Sequence, residues 1–71
     1  MKSLSAKIVI KILEKHSFVL SRQRGSHIIF THIITGIMVP VPLHGGSKPI
    51  SIGTFMSIVR QSKIPKEDFH L

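Results

Sequence analysis

Few side chains in this sequence could do chemistry: five histidines, ten lysines and arginines, three acids and no cysteine. An imidazole exchanges protons near neutrality, with an ordinary pKa of about 6.5, so each histidine is a candidate acid or base. His16 closes an amphipathic stretch, where a ring at the negative end of a helix needs no further explanation. His32 ends an apolar run and is expected to be solvated there, and His70 lies in the C-terminal tail. His44 opens the stretch His44-Gly45-Gly46-Ser47-Lys48, read as a mobile loop that either approaches the active face or does nothing. His27 differs from all of these, because it directly follows the basic turn Arg22-Gln23-Arg24-Gly25-Ser26.

Several reaction classes lack their residues. His27 and His32 are an odd number of positions apart, so on a strand their rings point to opposite faces and cannot share a zinc ion. Glu14 is the only acid before Glu67, and with no thiolate available a metal hydrolase has no ligand set. A serine hydrolase would need an acid to orient its base, and none accompanies Ser26 and His27. RNA transesterification asks for less, since its nucleophile, the ribose 2′-hydroxyl, belongs to the substrate. A proton acceptor and cations around the phosphate suffice. His27 supplies the first, with Arg22, Arg24, Ser26 and Lys48 as the RNA-contacting candidates around it.

The elements that position these residues follow from periodicity. Leu4, Ile8, Val9, Ile12 and Leu13 mark one side of a helix over about residues 5–15, with Lys7, Lys11 and Lys15 as a solvated cationic stripe. Residues 18–23 and 27–32 read as two strands of a hairpin joined through Arg24, Gly25 and Ser26. The second has neither glycine nor proline and suits the centre of a sheet, whereas a third, 37–41, contains Pro40 and belongs at an edge, after a connection through Thr35 and Gly36. Ser51 is placed to cap a second helix to about residue 62, its apolar stripe being Ile52, Phe55, Met56 and Val59. Pro65 opens a short terminal helix through Phe69. The order is α-β-β-β-α, an α+β domain with both helices on one face of an antiparallel sheet. Strand alternation then turns Ile28 and Phe30 toward the helices and leaves His27, Ile29 and Thr31 on the open face.

Seventy-one residues make one domain, 1–71, with a single small core that a bound partner would help to stabilise. The absence of cysteine and of any long apolar run, with Lys7 and Lys11 interrupting the N-terminal one, fits a cytoplasmic protein with no membrane association. A formal charge of +7 attracts polyanions, nucleic acid first and an acidic protein second.

Arg24-Gly25-Ser26-His27, after an amphipathic helix and a Phe-Val-Leu strand, resembles the HicA family of toxin ribonucleases. Val39-Pro40-Val41-Pro42-Leu43-His44-Gly45 is similar to that family's proline-histidine-glycine strand end, and Ile52-Gly53-Thr54-Phe55 with Ile58, Val59, Arg60 and Gln61 to its second-helix signature. The likeness runs from about Leu4 to Phe69. It implies a double-stranded-RNA-binding-like fold and the toxin half of a type II toxin-antitoxin system. It also implies an endoribonuclease that cleaves mRNA with no metal and no small-molecule cofactor, and inhibition by a cognate HicB-like antitoxin that covers the active face. The family's catalytic histidine matches His27; many members carry a second histidine directly after it, where this sequence has Ile28. Two readings compete with the nuclease: a non-catalytic module that holds double-stranded RNA by shape and phosphate contacts, and a structural subunit for an acidic protein.

Overall fold

The computed structural model describes residues 3–43 and 48–69; the glycine loop from His44 to Ser47 and the terminal His70 lie outside the described residues. Helix α1 spans Ala6–Lys15, strands β1, β2 and β3 span Phe18–Arg24, His27–His32 and Met38–Pro42, and helix α2 spans Ile52–Ser62. A short 3-10 helix, Lys66–Phe69, follows. The three strands form one antiparallel sheet with β2 in the centre, as its freedom from glycine and proline predicts. The α-β-β-β-α order is the expected α+β arrangement. No helix among the described residues is long and apolar enough to cross a membrane.

Both helices bury an apolar stripe, but each is turned from its expected setting. Helix α1 buries Ala6, Val9, Ile12 and Leu13, while Ile8 is exposed. Helix α2 buries Phe55, Ile58, Val59 and Ser62, leaving Ile52 exposed and Met56 half-buried. At 100° per residue, each real stripe is rotated by about 60° from the one that spacing alone selected. Apolar spacing tolerates such a shift because Ile8 and Ile52 flank the buried line and extend the stripe without being covered.

Four phenylalanines anchor the core: Phe18 and Phe30 from the sheet, Phe55 from α2 and Phe69 from the 3-10 helix are all buried. Phe55 and Phe69 meet edge to face with centroids 5.9 Å apart, so the C-terminal turn closes the end of the helix layer. Ile28, Phe30, Val39 and Val41 line the helix side of the sheet, as the alternation along β2 requires.

The edge position of β3 has a local cause. The Ile37 carbonyl accepts from the His32 amide and the Leu43 amide donates to the Ser26 carbonyl, so odd-numbered residues of this segment bond toward β2. Pro40 and Pro42 fall in the opposite phase. Their missing N–H groups lie on the outer edge, where they remove donors from a second chain rather than from the ladder.

The β1–β2 hairpin turns on two residues, Gly25 and Ser26, with Arg24 and His27 paired across its base. Strand β1 therefore includes Arg24, one residue beyond its expected end, and β3 is displaced by one residue to Met38–Pro42. Gly25 has φ of +60°, the type II′ pattern of a positive φ at the first central position, whose twist matches that of the flanking strands. A Cβ at Gly25 would meet nothing within 4 Å, so the only penalty for a side chain is conformational. Gly25→Ala should therefore cost about 1–2 kcal/mol in urea unfolding. Gly25→Asn should recover part of that loss, since asparagine follows glycine among the residues found at positive φ in such hairpin turns.

Candidate nucleic-acid interface on the open sheet face

Cross-strand pairing assembles the face away from the helices in rows. Arg24, His27 and Pro42 form the row nearest the hairpin turn, and Arg22, Ile29 and Pro40 form the next. Val19, Thr31 and Met38 complete the face at its far end. Arg22, Arg24 and His27 are all exposed, whereas Ile28, between His27 and Ile29, is buried against the helices. The structure thus brings Arg22 and Arg24 onto the face of His27.

A strict period of two could not have done this. Phe18 must face the core and Arg24 must face away, yet both positions are even. The conflict is resolved by a bulge: Leu20 pairs with Phe30 and Arg22 with Ile29, leaving Ser21 as the extra residue. Ser21 donates a hydrogen bond to the Ile29 carbonyl at 3.0 Å and accepts one from the Thr31 hydroxyl at 3.0 Å, which fixes the bulge on the open face. Residues 18–20 keep one phase and residues 22–24 take the other. Nothing in the composition of Ser21 announces this role; it becomes visible only when both ends of the hairpin are required to be correct.

His27 sits where the open face meets the start of α2. It lines a shallow depression of about 150 Å³ with Pro42, Pro49, Ile50, Ser51 and Thr54. The far wall is held by the N-terminal segment. The Ile50 amide donates to the Leu4 carbonyl at 2.9 Å, Ser5 and Pro49 form a bridge, and the Ser3 hydroxyl bonds the Ile50 carbonyl. Ser51 occupies the N-cap of α2 as expected but makes no side-chain cap bond; its hydroxyl donates to Thr54 Oγ1 at 3.0 Å. Ser51 and Thr54 thus line the depression at the start of α2, whose first turn has no side-chain cap bond. Ser26 is exposed, and its carbonyl accepts from Leu43 at 2.6 Å, tying the hairpin turn to the end of β3. Lys48 is exposed and directly precedes Pro49.

The remaining histidines have structural occupations or lie outside the described residues. His16 is the C-cap of α1 and its Nε2 lies 3.3 Å from Asp68 Oδ2, which links the first helix to the 3-10 helix. His32, expected to be merely solvated, packs edge to face on Phe18 at 5.1 Å. Its Nδ1 accepts from the amides of Ile34 and Thr35 at 3.1 and 3.2 Å, organising the β2–β3 turn. It stands on the helix side, opposite His27, as the odd spacing requires. His44 and His70 lie outside the described residues. Among the described residues no three of His, Asp and Glu come together as a metal site would need. A separate hollow of about 400 Å³ holds the His16–Asp68 pair and none of the basic row, and it reflects the notch between α1 and the 3-10 helix.

Known proteins place the chain more sharply than geometry alone. The family model described as the HicA toxin of bacterial toxin-antitoxin systems matches residues 6–64. No curated protein matches the sequence.

The bulge makes a specific prediction. Deleting Ser21 should give a regular ladder in which Phe18 still pairs with His32 and Arg24 with His27, with stability changed by no more than about 1 kcal/mol for two exposed hydrogen bonds. Cross-strand nuclear Overhauser effects at both ends of the hairpin check this. Loss of either pairing would mean that Ser21 is not the residue that reconciles the two phases.

Proposed function

Because this chain belongs to the HicA family of toxins from bacterial toxin-antitoxin systems, we propose that it is an endoribonuclease that cleaves mRNA by transesterification, with His27 as its proton acceptor. The observation that carries this reading is the exposed row Arg24–His27, with Arg22 one row behind it, on a face that no helix covers. The base stands at the start of the central strand, beside a hairpin turn, and is therefore positioned by the sheet rather than by a loop.

In this scheme the His27 imidazole takes the proton of a ribose 2′-hydroxyl. The 2′-oxygen then forms a bond to the adjacent phosphorus, and the bond from phosphorus to the 5′-oxygen of the next nucleotide breaks. The departing oxygen takes up a proton, returned by the imidazolium or donated by water. The products are a 2′,3′-cyclic phosphate and a 5′-hydroxyl end. Arg22 and Arg24 hold the phosphate and offset the charge that builds on its oxygens. Ser26, next to His27 in the chain, and Lys48, next to Pro49 of the depression, would contact the neighbouring backbone. The start of α2, whose Ser51 and Thr54 line the depression, would add the partial positive end of that helix near the same anion. The chemistry requires neither a metal nor a small-molecule cofactor.

All three acids lie in the helix layer, Glu14 in α1 and Glu67 and Asp68 in the 3-10 helix, so the strands of the open face carry cations and no anion. A polyanion that meets Arg22 and Arg24 there finds no acid beside them to repel it. A HicB-like antitoxin would silence the toxin by covering this face.

Expression of the wild-type chain alone should arrest growth and yield RNA fragments with 5′-hydroxyl and 2′,3′-cyclic phosphate ends. His27→Ala should lower cleavage by about 10²- to 10⁴-fold, the usual contribution of one positioned base. The variant should still fold, since His27 is exposed and outside the core. Arg22→Ala and Arg24→Ala should each reduce the salt slope of RNA binding by about one. Cleavage that survives His27→Ala would remove the histidine from the mechanism, and tight RNA binding with no cleavage by the wild type would identify a binding module instead.

A further inference from the structure

A second surface, in the helix layer, has a different composition from the basic row. A groove of about 330 Å³ runs between α2 and the segment that follows it, lined by Met56, Val59, Arg60, Lys63, Ile64 and Lys66. Its floor is apolar: Val59 and Ile64 are buried and Met56 is half-buried. Its rim is cationic, since Arg60, Lys63 and Lys66 are exposed and no acid lines the groove. Arg60 is oriented along the helix by a 3.2 Å bond from its Nη2 to Ser57 Oγ.

Lys63 supplies an independent observation. It is the C-cap of α2 and adopts the left-handed conformation, with φ of 63°. Glycine is the favoured residue there, because any Cβ is strained in that region. Lys63 therefore holds a strained backbone position with its side chain on the rim of an apolar groove, a local departure from the most stable choice.

We propose that this groove is a docking site for an acidic, apolar-bearing segment of the antitoxin, separate from the face that carries His27. Apolar side chains of the segment enter between Met56, Val59 and Ile64, and its carboxylates meet Arg60, Lys63 and Lys66. A phosphate backbone would satisfy the rim but would leave the floor unused, which favours a polypeptide over RNA. Methionine in the floor suits a surface that must adapt to a partner. The proposal rests on the toxin-antitoxin membership of the chain and not on the nuclease chemistry.

The test uses the intact chain and its purified antitoxin. Titration of the antitoxin should protect amides of residues 56–66 from hydrogen exchange. The combined variant Arg60→Gln, Lys63→Gly, Lys66→Gln should weaken the complex at least tenfold, while RNA cleavage by the free toxin matches that of wild type. Lys63→Gly alone should raise the melting temperature and yet weaken the complex, a trade that a merely structural lysine would not show. Unchanged affinity in the combined variant, or no protection at 56–66, would overturn the proposal. Protection of those residues by an RNA oligonucleotide without antitoxin would also overturn it and assign the groove to nucleic acid. If the wild-type chain cleaves no RNA but its complex still depends on the three cations, the docking site stands and only the nuclease reading fails.

Discussion

The structure depends on one constraint of strand geometry: the β1–β2 hairpin must be in the correct phase at both ends. At one end Phe18 has to enter the core beside His32, and at the other Arg24 has to leave it beside His27. Period-two alternation cannot satisfy both over the intervening residues. The positive φ of Gly25 fixes the register at the turn, and the extra residue Ser21 absorbs the mismatch before Phe18 is reached. Core and site are thereby specified together by one seven-residue strand. A slip of one position would turn Arg22 and Arg24 toward the helices and bring their unpaired charges against apolar surface.

A second constraint is size. A domain this small has few ways to hold a surface element still, and each tie around the depression also serves the fold. The pairing of Leu4 with Ile50 and the bridge from Ser5 to Pro49 bind the N-terminal segment to the lead-in of α2. Those contacts close the core over Ile50, and they also set the first turn of α2 opposite His27. Pro40 and Pro42 act in the same double manner. Their side chains belong to the rows of Ile29 and His27, while their missing donors blunt the free edge of β3.

Much of this was legible in the sequence, and the reasons differ by element. The strands could be read because β-branched runs are bounded by Gly25 and Gly36, and the order followed from the proline content of the third. The exposure of His27 followed from Phe30, which as the larger anchor had to face the helices. Helix rotation was not legible, because Ile8 and Ile52 fit an apolar stripe by spacing and only packing shows which line is covered. The bulge was not legible either, since Ser21 looks like an ordinary solvent-facing strand residue. Its presence could be inferred from the parity of Phe18 and Arg24, which is a relation between positions and not a property of one. The part played by His32 was hidden for a similar reason. Its bonds to the Ile34 and Thr35 amides arise from a turn whose shape spacing does not reveal.

The distribution of charge ties these observations to function. Arg22 and Arg24 are held in register by the same hairpin that buries Phe18. The three acids are confined to the helix layer, where Asp68 engages His16 and holds the C-terminal turn to α1. Asp68 thus ties two elements together, and no acid lies in the strands that form the open face. With ten cations against three acids, repulsion among like charges carries an electrostatic cost, and it is compensated when an anionic partner neutralises the exposed cations. The fold therefore gains stability from the association its surface invites, since any partner that binds only the folded chain shifts the equilibrium toward it.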